Sequence, residues 1–435
     1  MIRRLIILAL LIWGCDEAGL NTDSLTSGTT VTDTLYIPYD TTYTVYDTLI
    51  VNDNIAIRAG FSPLWQLYMD SSEGGWQNND NGRFSWDDTY AIDGLIRLFN
   101  STSDVFYLDL AIGIMNKFYD NTDEKRGIQD VYRDNQSVSV WSSTRYTEGN
   151  YHAFNCHIGF IVYAGTKVAD AMMSGYLPIS YNVQAEELIA KLEESFSYIE
   201  DTWVNDGEGG YFEEPYFKDI NISTPLNMIS LCGMATLGLY NLTGESILLD
   251  YTAKMAWYIK QHLYLSNETY IWPYKPPLVI NEDGSIIGPD DNSHGAIVTW
   301  FCVQAYENDI VFNVEDMTYF SNTFLNNIYV GTNQFRKYVD PKRDPMIFVD
   351  TVLFIYMILD SEDVKQILLD HYETRLLIYD SSSFLNHFGT KLMQAYSFAV
   401  IEDWGNYEVN VSNGFQVESY SIIGERNIII NEEIK

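Results

Sequence analysis

Positive charge is scarce in this chain. Lys and Arg number 25 against 60 Asp and Glu over 435 residues, a formal net charge of -35. Such a surface repels polyphosphates and anionic lipid headgroups beyond contact range, which excludes nucleic-acid binding. It also counts against a strongly acidic polymer as ligand, although screening confines that objection to about 8 Å at physiological salt. Cysteine is nearly missing, at 4 residues, and no pair has the C-x-x-C spacing of a thiolate metal site. No H-E-x-x-H, P-loop or G-x-S-x-G segment occurs, so the common metalloprotease, nucleotide and serine-hydrolase signatures are all absent. What is plentiful is aromatic surface: 33 Tyr, 21 Phe and 10 Trp in a chain that is 46% hydrophobic. That suffices for a sizeable core, in one large domain or two or three smaller ones. Tyr and Trp also line sugar clefts, where flat rings meet C–H faces.

The first residues read as an address. Arg3 and Arg4 precede an apolar run from Leu5 to Ile12, too short to span a bilayer. Trp13, Gly14 and Cys15 follow, and the segment resembles a bacterial lipoprotein signal in which a small residue precedes the lipidated Cys. That resemblance implies a signal over 1–15, lipid on Cys15, and a place in the bacterial cell envelope, periplasmic or surface-facing, held by acyl chains without a transmembrane helix. Residues 16–60 repeat Asp-Thr with Leu or Tyr, as in Asp33-Thr34-Leu35-Tyr36 and Asp47-Thr48-Leu49-Ile50. Thr and Tyr favour extended chain, so an extended tether with at most a small strand pair is expected. Cys156, Cys232 and Cys302 lie in apolar helical runs and are expected as buried free thiols.

From residue 61 to 404 the pattern is of paired amphipathic helices. Thr224-Pro225 reads as an N-cap and first position, and Thr243-Gly244 as the stop. Ile247, Tyr251, Met255 and Ile259 then form the stripe of an antiparallel partner. The same unit recurs at 92–118, 157–199, 294–329 and 346–375, and segments 61–69 and 390–402 would supply a sixth pair. An all-α closed ring of hairpins is therefore expected. The segment 405–435 alternates polar and apolar residues and reads as β-prone. Turns inside hairpins are short and connections between them long, so in a ring the long connections share one rim, where function concentrates.

Those connections hold the unusual residues. The first carries Trp141, Arg145, Tyr151, His152 and His157. The second carries Tyr211, Glu213 and Glu214, with Asn227 just beyond. The third carries Tyr270, Trp272 and Tyr274, then Asp290-Asp291-Asn292-Ser293-His294-Gly295. Asn292 or Ser293 is expected to cap a helix starting near His294, whose N-terminal N–H groups favour negative charge. Tyr270 and Trp272 sit two apart and would put both rings on one strand face. Each feature also has a plain reading as capping, core packing or a solvated turn; their shared rim is what argues for a site.

Paired helices closing a toroid with such loops resemble the six-hairpin (α/α)6-toroid carbohydrate-active enzymes: glycoside hydrolases, polysaccharide lyases and the C-terminal domain of glucuronyl C5-epimerases. Leu242-Thr243-Gly244-Glu245, Tyr270-Ile271-Trp272-Pro273-Tyr274 and Asp291-Asn292-Ser293-His294-Gly295 carry the likeness. It implies a polysaccharide or oligosaccharide substrate. Proton abstraction beside a uronate carboxylate needs a Tyr or His base and a neutralising group. Tyr151, His157 and His294 with Asn227 and Arg145 would serve, and lyase or epimerase chemistry is placed slightly ahead. Hydrolysis would instead use paired carboxyls, Glu213 or Glu214 with Asp290 or Asp291, or Asp87 and Asp88. A non-catalytic glycan-binding lipoprotein, with Trp141, Tyr270 and Trp272 as its platform, is the remaining alternative. No cofactor or metal is indicated. Gln77 to Asp88 partly fits a calcium loop, but Gln77 stands where Asp is needed, so Ca2+ is admissible without being favoured.

Overall fold

The computed structural model describes residues 78–343, 351–376 and 394–398, isolated positions at 57, 61, 62 and 65, and short strands between 35–52 and 408–432. The signal, most of the tether and most of the expected 61–69/390–402 pair lie outside the described residues. Two compact units are present, the larger comprising residues 72–376 with 390–398.

The larger unit is all-α and toroid-like. Five hairpins follow one another: α1 (Thr89–Thr102) with α2 (Val105–Asp120), α3 (Asn155–Met172) with α4 (Ile179–Ser197), α5 (Leu226–Thr243) with α6 (Ser246–Gln261), α7 (Asn292–Glu307) with α8 (Val314–Asn322), and a 3-10 segment (Thr351–Ile358) with α9 (Glu362–Leu376). The first member of each pair packs on the first member of the next, making an inner ring, and the second members lie outside it. A helical turn at 394–398 returns to α1, where Gln394 Nε2 donates to Asp93 Oδ2 at 2.8 Å and Arg97 lies 4.2 Å over the Phe398 ring.

Local chemistry explains the boundaries. Gly244 ends α5 in the left-handed conformation (φ 73°), where a Cβ would be strained. Asn313 and Asp316 form a reciprocal capping box on α8. The side-chain cap expected of Thr224 is not formed: the N-cap position falls on Pro225, which makes no side-chain cap bond, and the Thr224 hydroxyl accepts the Glu214 N–H at 3.1 Å. Inner helices approach closely at glycines. A Cβ on Gly159 of α3 would lie 3.0 Å from the Cys232 backbone of α5, and one on Gly233 would lie 2.5 Å from the Phe301 ring of α7. Cys156, Cys232 and Cys302 are buried free thiols in this ring, as expected. None of the described helices is long and apolar enough to cross a membrane.

Because every hairpin is antiparallel, the inner helices run parallel and their N-termini share one end. The long connections lie at that end. Three of them open with a two-stranded antiparallel ribbon: β1 (Trp203–Asp206) with β2 (Gly209–Phe212), β3 (Tyr264–Ser266) with β4 (Thr269–Ile271), and β5 (Tyr329–Gly331) with β6 (Gln334–Phe335).

The smaller unit pairs Leu35–Ile37 with Thr41–Tyr43, the small strand pair foreseen in the tether. It also holds a four-stranded antiparallel sheet in which Asn427–Glu432 lies between Val417–Ile423 and Leu49–Asn52. Segments from the two ends of the chain thus share one sheet.

Candidate active site

The mouth of the inner ring is framed by the starts of α1, α3, α5 and α7, and a first-turn N–H group of each of the last three finds a partner in the connections: Asn155 N in Glu214, Leu226 N in the Tyr274 carbonyl and Asn292 N in the Lys337 carbonyl. At α7 the cap is Asp291, not the expected Asn292 or Ser293. One oxygen, Oδ1, accepts Ser293 N, Ser293 Oγ and His294 N at 3.0, 2.7 and 3.0 Å. The other, Oδ2, lies 2.7 Å from His294 Nδ1, with side-chain exposures of 38% for His294 and 21% for Asp291. Burial would raise this carboxyl, but the His294 ring and the donors around it hold it down to about 2. A carboxylate that fixes one imidazole nitrogen sets the tautomer and assigns proton exchange to the other, Nε2.

Directly before it, Asp290 is fully buried. Its Oδ2 accepts the Trp272 indole N–H at 2.9 Å, and its Oδ1 accepts the Asp291 N–H at 3.0 Å. Burial, opposed by His294 and reinforced by the charge on Asp291, lifts Asp290 well above the ordinary carboxylate range. Two adjacent carboxyls are thus shifted in opposite directions. One donor atom from each of Asp290, Asp291 and His294 falls within 4.8 Å of the others, a set able to hold a metal ion.

Ring contacts lie at both ends between this cluster and the first connection, with Tyr274 and Tyr146 near enough to interact electrostatically. Tyr274 lies 4.9 Å from His294. Burial and then the charge on Asp290 raise the Tyr274 phenol, with the Tyr146 phenol near enough to contribute. Tyr146 in turn lies 5.8 Å from His157. The structure therefore brings His157 and His294 to the same mouth. His157 itself is enclosed: Trp86 Nε1 donates to its Nε2 at 2.9 Å, and Ser143 Oγ is 3.4 Å from its Nδ1. Burial and then the Arg145 charge keep it neutral. Arg145 is exposed, donates to the Asn81 carbonyl at 3.0 Å, and lies 5.7 Å over Tyr146.

Other expected residues are placed differently. Trp141 is buried with its N–H on the Phe118 carbonyl at 2.8 Å. Tyr270 and Trp272 do share a face, both against Phe320, but that face is internal. Tyr270 donates to Asp316 at 2.6 Å and Trp272 to Asp290. The platform expected of these three rings is therefore core, because their N–H and O–H groups find partners inside. Tyr211 stacks on Tyr258 at 4.7 Å, and half-exposed Tyr151 faces Arg126 at 5.9 Å. Glu214 is buried and structural. It lies 2.5 Å from His152 Nε2, while Asp130 holds His152 Nδ1 at 2.9 Å. Burial would lower His152, but Glu214 and Asp130 push it up to about 9. This node ties the first connection to the second. Asn227 is buried at the start of α5, beside Leu226, whose N–H bonds the Tyr274 carbonyl at 3.1 Å, and neither of its amide atoms has a partner among the described residues. Asn79, inside the partial calcium-loop pattern, is spent on Phe84 N and the Trp141 carbonyl.

Trp86, Tyr146, Phe217 and Lys275 also stand at the mouth, and the sequence does not mark them as ligand groups. Tyr146 directly follows Arg145 and Trp86 precedes the Asp87-Asp88 pair. Nothing local marks either as facing the mouth.

The fold class of this unit is the α/α toroid. No protein-family profile and no curated protein matches the chain. Among solved structures it is similar to the GH76A α-1,6-mannanase of Salegentibacter sp. HEL1_6, at 13% identity over 79% of this chain and 100% of that one, with a TM-score of 0.46. It is also similar to the polysaccharide lyase BACCELL_00875, at 14% identity over 79% of this chain and 98% of that one (TM-score 0.48). A sugar epimerase from a ruminal bacterium matches at 13% over 78% and 87% (TM-score 0.43). At such identities the chemistry of this chain has to come from its own residues.

Proposed function

We propose that this chain is a carbohydrate-active enzyme acting on a polysaccharide or oligosaccharide at the mouth lined by Trp86, Tyr146, Tyr274 and His294. The observation that carries the reading is the Asp290–Asp291–His294 cluster. One ligand atom each from a fully buried carboxyl raised above the ordinary range, a carboxyl held low by His294, and a partly exposed imidazole lie within 4.8 Å of one another. Glycoside hydrolysis draws on acids of unlike proton affinity, one able to give a proton to the leaving oxygen and one able to carry negative charge toward the cationic transition state. Asp290 is fully buried, so the members of the cluster that can meet a ligand are Asp291 and His294. Hydrolysis is accordingly placed ahead of elimination.

The second reading is β-elimination or C5 epimerisation. Its support is the Asp291–His294 pair, an imidazole aimed by a carboxylate and able to act as a base without Asp290. Incubating the chain with a panel of neutral and uronate glycans separates the two. New reducing ends without ultraviolet absorbance from an unsaturated uronate mean hydrolysis; the absorbance means elimination. Binding with no turnover of any member would select the non-catalytic alternative. Attachment through lipid on Cys15 belongs to the same proposal, and palmitate labelling that survives Cys15→Ser would refute it.

A further inference from the structure

Two cations flank the rings of the mouth, in a chain where carboxylates outnumber cations 60 to 25. Lys275 Nζ lies 5.6 Å from the Tyr274 ring and 6.0 Å from the Phe217 ring. Phe217 is 6.4 Å from Tyr146, and the Arg145 guanidinium is 5.7 Å from that same Tyr146. The Arg145 stem crosses Gly82 (φ 70°), where a Cβ would come 3.0 Å from Arg145 Cδ and 3.1 Å from His157 Cε1. A side chain at position 82 would be strained by this φ and would crowd the Arg145 stem and the His157 ring. Several cations elsewhere are taken up by the surplus of acid: Arg97 pairs with Asp93, Arg126 with Asp80, Arg133 with Asp201 and Lys260 with Asp316, while Lys167 and Lys191 lie over rings and Arg336 and Lys342 bond backbone carbonyls. Neither Lys275 nor Arg145 forms an ion pair among the described residues. Asp291, the acidic group beside Tyr274 and His294, is already committed to His294.

We infer that the mouth selects a glycan bearing anionic substituents, carboxylate or sulfate, which Lys275 and Arg145 receive on either side of Tyr146 and Tyr274. The inference rests on the reading of the mouth as a glycan site. The global charge of -35 does not oppose it, because beyond about 8 Å that charge is screened while contact pairs are not. Guanidinium and ammonium groups over aromatic faces keep their N–H donors directed at a ligand.

The test is affinity electrophoresis of the full chain against dextran, xylan and mannan, each beside its carboxymethylated and sulfated forms. Expected is about tenfold tighter retention of one anionic class over its neutral parent, falling as salt rises from roughly 0.05 to 0.5 M. Lys275→Gln and Arg145→Gln should each reduce the preference and together abolish it, while Lys191→Gln, on the outer helix α4, leaves it intact. Unchanged melting temperatures would show that the variants fold. His294→Asn should stop turnover yet keep the anionic preference. Turnover of a neutral glycan without charge preference, or a preference that survives the double variant, overturns this inference and leaves the functional reading standing. Failure to bind or convert any polymer sinks both.

Discussion

Asp291 spends one oxygen on the first turn of α7 and the other on His294, so one residue both starts the helix and aims the imidazole. Replacing it with Asn keeps an oxygen for the cap but exchanges the carboxylate facing Nδ1 for a neutral amide. Asp291→Asn is expected to lower kcat by about 10²–10⁴ with little change in helicity, measured as turnover beside circular dichroism. Retained turnover would remove the pair from the mechanism. Asn227 is the converse case, a buried amide with neither atom partnered among the described residues. Leaving such atoms unsatisfied costs roughly 1–3 kcal/mol each, so Asn227→Leu should be neutral to stabilising in thermal unfolding. If the amide serves a ligand, the same variant should bind glycan about tenfold more weakly. At His152 the folded value of about 9 lies above the unfolded ~6.5. The stability it contributes is therefore fully present below pH ~6.5 and lost as pH rises through about 9. Melting temperature should fall across that window in the parent and much less in His152→Gln, which should itself be less stable by ~3–5 kcal/mol.

At the scale of elements, the inner ring depends on glycines that a helix would otherwise disfavour. Gly233→Ala gains up to ~1 kcal/mol of helix propensity. It also drives a Cβ to 2.5–2.9 Å from three ring atoms of buried Phe301. Overpacking of that kind costs ~1–3 kcal/mol, so a net loss in chemical denaturation is expected, without loss of helical signal. The hairpins themselves were legible, because the 3.6-residue apolar period and signals such as Gly244 are local. What a period cannot tell is which of two buried or half-buried sides a ring faces. Tyr270 and Trp272 were rightly put on one face and wrongly on the open one, since the deciding partners, Asp316 and Asp290, lie 46 and 18 positions away. The same limit hid the Asp130–His152–Glu214 node, whose members are 22 and 62 positions apart. Asp290-Asp291 and His294 stood out because capping chemistry and site chemistry coincide within five residues. The cap moved from Asn292 or Ser293 to Asp291 because a carboxylate can accept several donors at once.

At the scale of the whole molecule, charge works in two opposed ways. With a net charge of -35 the folded state repels itself, and expansion on unfolding relieves that repulsion. Added NaCl shortens the Debye length from ~10 Å at 0.1 M to ~3 Å at 1 M, which removes more repulsion from the compact state than from the expanded one. Melting temperature is therefore expected to rise with NaCl between these limits, most steeply at the low end. Capture of an anionic glycan by Lys275 and Arg145 should weaken over the same range, so stability and affinity are expected to run in opposite directions along one salt titration. Scanning calorimetry and affinity electrophoresis on the same samples check this. A melting temperature that is flat or falls with salt would mean that local ion pairs, such as Lys260 with Asp316 or Arg126 with Asp80, outweigh the global repulsion.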